Sequence, residues 1–170
     1  MIGGLSWNEN GNPAYCCLIH RVTQPVEKYM EEMSHFELYD EYKDDSLMEL
    51  LEQLPTDRIS CIYAPKGKFY ATYIQDFNKW RRSNGNILLR PSSVSSFEAG
   101  VLKIRDMLNN NELRIKEDSI LMAQLKIFSK QSLKENDAFY AIKAMTYVIN
   151  GYNRTTVNEE ENVPRLCAWY

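Results

Sequence analysis

The sequence predicts an α/β (α+β) fold, a mixed sheet with helices packed on it. Three observations carry this: β-type runs at the N-terminus, later β-type runs that alternate with amphipathic helical stretches, and two helical stretches in succession near the end. With 170 residues, 44% hydrophobic and 25% charged, the chain is large enough to bury the core of one compact domain.

The elements follow in order. "IGGLSW" and "AYCCLIH" flank the turn-rich "NENGNP", which predicts a hairpin, and a third strand is expected near Val26 to Met30. In "DDSLMELLEQLP", Asp45 or Ser46 can cap a helix whose Leu47, Leu50, Leu51 and Leu54 form one stripe and which Pro55 ends. "RISCIYA" (58–64) has the short apolar character of a strand buried on both faces. From Phe69 to Arg82, Tyr70, Tyr73, Ile74, Phe77 and Arg81 fall at helical spacing; Ser83-Asn84-Gly85 closes that helix before the strand "NILLR". Ser92, Ser93 or Ser95 can cap a helix carrying Val94, Phe97, Val101, Ile104 and Leu108 on one face, ended by "NNN" and followed by the short strand "ELRI". "EDSILMAQLKIFS" and "ENDAFYAIKAMTYVING" predict two further helices, the second stopped by Asn150-Gly151. The expected organisation is therefore a domain over residues 1–151 and an acidic tail over residues 152–170, partly disordered or docked through Leu166, Trp169 and Tyr170.

Charge and composition narrow the function. A net charge of −3 and a pI near 5.5 leave no global positive field for nucleic acid, so contact with it must come from a local patch. Cys16, Cys17, Cys61 and Cys167 lack the C-x-x-C spacing of zinc or redox sites, and three of them lie in strongly apolar runs, as buried reduced thiols would. His20 and His35 have no helical metal-pair spacing and are expected at a strand end or on the surface. No basic-then-apolar leader and no membrane-length apolar run occur, so an intracellular chain that makes no membrane contact is expected. A Gly-rich Walker-type loop is also missing, so ATP hydrolysis is not expected of this chain.

Three short blocks, in order, resemble the C-terminal nuclease domain of phage terminase large subunits. Gly3-Gly4-Leu5-Ser6-Trp7 resembles that family's opening strand, a Gly-rich apolar run ending in an aspartate followed by an aromatic residue or Pro. Cys61-Ile62-Tyr63-Ala64-Pro65 resembles the strand that ends in Ala-Asp or Cys-Asp before a helix. "YAIKAMTYVI" (140–149) is similar to a motif of the form His-Ala-Ile-Asp-Ala-Leu-Arg-Tyr-Ala-Leu, with Tyr140 at its His and Lys143 at its Asp. Between the second and third blocks, "SSVSSFEAGVLKIRDMLNNNELRI" resembles the family's Ser-containing helix start and short final strand, so the resemblance runs from residue 2 to about residue 151.

The resemblance implies an RNase H-like fold with three acidic positions at the strand ends, which hold divalent cations for two-metal phosphodiester hydrolysis. Here those positions are Ser6, Ala64 and Lys143. A hydroxyl is a poor Mg²⁺ ligand, a methyl is none, and an ammonium repels the ion. The expected function is thus a pseudo-nuclease without metal cofactor, a nucleic-acid- or protein-binding module of a phage genome-packaging or assembly apparatus in the cytoplasm of a bacterial host. The alternative is an active DNA endonuclease that binds Mg²⁺ or Mn²⁺ through displaced carboxylates such as Glu9 and Asp137. Lys66 and Lys68 flank Gly67 after the central strand, while Lys79, Arg81 and Arg82 crowd around Trp80. These cations and a stacking indole suit weak, local DNA binding, although the second group equally complements a helix C-terminus.

Overall fold

The structure, a computed structural model, describes residues 1–7, 13–26, 31–65, 77, 80, 87–92, 97–128 and 138–161; for residues 25–26, 31–33 and 153–161 the description is of the backbone alone. Six strands form one sheet: β1 (Ile2–Ser6), β2 (Ala14–Val26), β3 (Glu31–Asp44), β4 (Cys61–Pro65), β5 (Leu88–Ser92) and β6 (Leu113–Arg114). Their spatial order is β5-β4-β1-β2-β3-β6. β1, β2 and β3 pair antiparallel, and β4 runs parallel to β1 and β5 parallel to β4. β6 lies parallel to β3 at the far edge. Helices α1 (Leu47–Glu52), α2 (Phe97–Asn109), α3 (Ile120–Ile127) and α4 (Tyr140–Glu161) pack on this sheet. An antiparallel meander continued through β1 into parallel strands is a mixed α/β sheet with helices packed on it, the fold class that the sequence predicts.

Both faces of the sheet are covered, which is why β1, β2 and β4 read as apolar runs rather than as alternating strands. On one face Tyr15, Cys17, Ile19, Cys61 and Tyr63 pack under α2, α3 and α4. On the other, Leu5, Cys16, Leu18, Ile62 and Ala64 pack under the α1 leucines together with Phe77, Trp80 and Ile87. Ser46 does cap α1, its hydroxyl accepting from the Glu49 amide at 3.5 Å. Beyond α2 the chain reverses at Asn111, whose φ of 58° is the left-handed conformation that asparagine tolerates.

Two sequence-based expectations need correction. The third strand is Glu31–Asp44 rather than a short run near Val26 to Met30: Val26 closes β2, and residues 27–30 lie outside the described residues. In "EEMSHFELYDEYKD" charged residues occur on both parities while Phe36 and Leu38 turn toward the helices, so strand character is carried by the long ladder to β2 and not by hydrophobicity. Nor does the last helix stop at Asn150-Gly151; it continues to Glu161. Gly151 serves close packing instead, since a Cβ there would lie 2.0 Å from the Tyr63 ring. Among the described residues no helix is long and apolar enough to cross a membrane.

Candidate functional site at the sheet end

α4 runs against β1 at backbone contact. A Cβ on Gly4 would lie 2.0 Å from the Ala144 carbonyl oxygen, so only glycine lets the helix settle at this depth. Two residues along, Ser6 is 2% exposed, and its hydroxyl donates to the Tyr140 carbonyl oxygen at 2.7 Å. The Tyr140 ring lies 5.5 Å from that of Tyr15, and the Lys43 ammonium stands 5.6 Å from its centre. One turn further along α4 comes Lys143, half-buried.

The helix start is held from a distance. Gln124 of α3 accepts from the Ala141 and Ile142 amides at 2.9 and 3.3 Å through one side-chain oxygen, and its amide nitrogen donates to the Ala138 carbonyl at 3.2 Å. A glutamine thus satisfies the open amides that a local cap would otherwise meet. Glu41 of β3 does the same for α3, accepting from the Ile120 and Leu121 amides at 2.8 Å each and from the Tyr15 hydroxyl. The Glu41 carboxylate is therefore committed to holding a helix.

The sequence-predicted site residues distribute as follows. Ser6 and Ala64 lie on adjacent parallel strands, and Ser6 meets the first turn of the helix that carries Lys143. Their side chains nevertheless divide between the two faces. Ser6 points to α4, whereas Ala64 is fully buried among Leu50, Leu51 and Trp80 on the other side. The pairing of Gly4 with Tyr63 places Leu5 beside Ala64, and both belong to that opposite layer. Ala64 is thus brought close in space but turned away. Trp80 is 4% exposed and packs on Phe77 with ring centres 5.2 Å apart, so its indole fills core rather than offering a stacking face. Glu9, Asp137, Lys66, Lys68, Lys79, Arg81 and Arg82 lie outside the described residues. Among the described residues no cluster of three His, Cys, Asp or Glu side chains is placed to hold a metal ion.

The thiols expected to be buried and reduced are so for Cys16, Cys17 and Cys61, while Cys167 is outside the described residues. Burial pushes the Cys17 thiol up to about 12, and burial raises Cys16 and Cys61 too, which removes them from thiolate chemistry. The two histidines are more organised than their sequence suggests. His20 on β2 and His35 on β3 both direct Nε2 at the carboxylate of Glu37, at 3.6 and 2.8 Å. The signal for half of this was present, because His35 and Glu37 are two apart on a strand and share a face. The position of His20 opposite Glu37 required the register of the hairpin.

Comparison of the chain with protein-family models, with curated proteins and with solved structures gave no match.

Proposed function

We propose that this chain is a terminase-nuclease-like RNase H domain that binds rather than cuts, serving as a nucleic-acid- or protein-binding module of a phage-type packaging apparatus. The observation that carries this reading is the buried hydrogen bond from Ser6 to the Tyr140 carbonyl. At the strand end where a nuclease of this kind needs a carboxylate facing an open cleft, the side chain is a hydroxyl whose proton is committed to helix backbone. The helix lies on the strand at glycine contact distance. A buried hydroxyl facing a carbonyl has neither the charge to hold a hard cation nor a base to make it a nucleophile. The strand order supports the RNase H-like part of the reading, and the three sequence blocks support the terminase part.

The test is calorimetric titration of manganese into the protein, alongside incubation with supercoiled plasmid. No heat of binding and no nicking are expected; metal uptake with cleavage would replace this reading by the endonuclease that uses displaced carboxylates. Binding is measured separately on a short DNA duplex at low and moderate salt. With net charge −3, affinity should be weak and fall steeply with salt. The pair Lys66→Glu, Lys68→Glu should abolish it. Equal affinity of wild type and variant would exclude DNA contact through that turn and leave the protein-binding form of the module.

A further inference from the structure

Beyond the register shift between Leu18 and Ile19, β2 and β3 run on past the rest of the sheet as a ribbon of two strands. β1 accompanies β2 only from Tyr15 to Ile19, and β6 accompanies β3 only at Phe36 and Glu37. On its β1 side, β2 from His20 to Val26 is therefore a free edge among the described residues, about 23 Å long at the usual strand rise. Arg21, Thr23 and Gln24 are exposed along it. A ribbon of two strands is at best marginally stable in water, and further strands are what ordinarily secure it.

Which groups the edge presents follows from the other side of the ribbon. The Phe36 amide donates to the Glu112 carbonyl at 2.8 Å, so Phe36 turns its N–H away from β2. In an antiparallel ladder the residue opposite turns away as well, and that residue is Arg21. Alternation gives Thr23 and Pro25 the same orientation, while Val22 and Gln24 bond to β3. The edge thus offers the N–H and C=O of Arg21 and Thr23, and the C=O of Pro25, which has no N–H. Strand edges are commonly guarded by charged side chains, lysine above all. From His20 to Val26 there is no Lys, Asp or Glu, and Val22, Thr23 and Val26 are β-branched. Arg21, the one fixed charge, is held to its own ribbon by donating to the Ser34 hydroxyl at 2.8 Å. A single cation is too little for a phosphate backbone, so the edge suits a strand rather than a nucleic acid.

We propose that this edge pairs with the same edge of a second copy of the chain, antiparallel across a two-fold axis at Thr23, so that the two ribbons become one sheet. Outward groups must meet outward groups, which restricts the axis to Arg21, Val22, Thr23 or Gln24. An axis at Arg21 would oppose two guanidiniums. There, and at Val22, the edge would also run into Ile19 of the second copy, which β1 already occupies. An axis at Gln24 leaves only the Thr23 amide with a partner among the described residues, on the Pro25 carbonyl. At Thr23 the two threonines lie opposite each other and exchange N–H and C=O bonds, and each Arg21 amide donates to a Pro25 carbonyl. No like charges oppose one another in that register.

Sedimentation velocity over a concentration series, with amide hydrogen exchange at its two ends, tests this. The wild type should dimerise reversibly. Exchange should slow with concentration at Arg21 and Thr23 but not at Val22 and Gln24, whose amides are already bonded within the ribbon. Thr23→Pro removes an N–H that β3 does not use and should weaken dimerisation roughly tenfold or more. Thr23→Glu and Thr23→Lys each put like charges on the axis and should weaken it roughly twofold to fivefold, while an equimolar mixture of the two should recover it. A wild type that stays monomeric at every concentration would overturn the proposal and leave the edge to a strand of another protein. A dimer that these variants leave intact would overturn it by placing the contact on another surface, and a mixture that fails to recover dimerisation would overturn the axis at Thr23.

Discussion

Placing an aspartate at position 6 separates a sealed sheet end from a metal site. Ser6→Ala deletes one buried hydrogen bond to the Tyr140 carbonyl and should cost about 1 kcal/mol. Ser6→Asp does more, because it replaces the donor by a carboxylate aimed at a carbonyl oxygen 2.7 Å from the present hydroxyl, at a position 2% exposed. An unpaired buried charge adds several kcal/mol, so about 3 to 5 kcal/mol is expected at neutral pH, a large part of the roughly 5 to 15 kcal/mol that stabilises a domain. Burial raises the folded-state pKa of the new carboxyl above its unfolded value of about 3.9. The penalty is therefore full above the folded value, shrinks as pH falls through it, and is gone below about 3.9, where the neutral acid can donate to Tyr140 as Ser6 did. Urea unfolding of wild type, Ser6→Ala and Ser6→Asp at neutral and mildly acidic pH, with and without manganese, measures each term. If Ser6→Asp matched Ser6→Ala at neutral pH, a cation would have to reach position 6 and the helix would not seal it. Stabilisation by manganese of about 2.7 kcal/mol at a hundredfold excess over Kd would show a metal site that the Tyr140 contact was thought to preclude.

Three further outcomes are expected. Gln124→Leu keeps the bulk but orphans the Ala141 and Ile142 amides, and should lower the urea-unfolding free energy by about 2 to 4 kcal/mol; a loss below about 1 kcal/mol would mean that the start of α4 is capped otherwise. Gly4→Ala must push α4 away from β1, because the new methyl would meet backbone, and should cost roughly 3 kcal/mol or more by thermal unfolding; a neutral effect would contradict the packing. The hydrogen bond from His35, with nearby His20 and Arg114, holds the Glu37 carboxyl below its ordinary range, so the stability it supplies is present above the unfolded pKa and is lost as pH falls through the depressed folded value. Glu37→Gln should remove that contribution from the acid-unfolding profile, whereas superimposable profiles would show that the carboxylate carries none.

Much of the architecture was legible because the signals are local. Ser46 lies before a leucine stripe, and the cap and the stripe act within one turn, so α1 forms where it was expected. The same holds for the hairpin around "NENGNP" and for α2 with its apolar face. The end of the last helix was misread because Gly151 has two physical uses, a permissive cap and a gap for another side chain, and only the Tyr63 ring packed on it selects the second. The third strand was misplaced because seven of its residues, Glu31, Glu32, Glu37, Asp40, Glu41, Lys43 and Asp44, are charged: it gives less apolar signal than "AYCCLIH" and draws its stability from the ladder to β2.

The candidate site was legible only as a set of positions. By itself the sequence determined the order of strands and helices, and which residue types stand at Ser6, Ala64 and Lys143, because composition and periodicity are properties of neighbouring residues. Tertiary structure alone decided which way those residues point. The register between β1 and β4, whose paired residues are nearly sixty positions apart, puts Ser6 under α4 and Ala64 on the opposite face. The long-range caps supplied by Gln124 and Glu41, and the meeting of His20 with Glu37, were decided in the same way. Each depends on pairing or packing between segments distant in the chain, and a one-residue slip in pairing would turn every side chain of the strand to the other face.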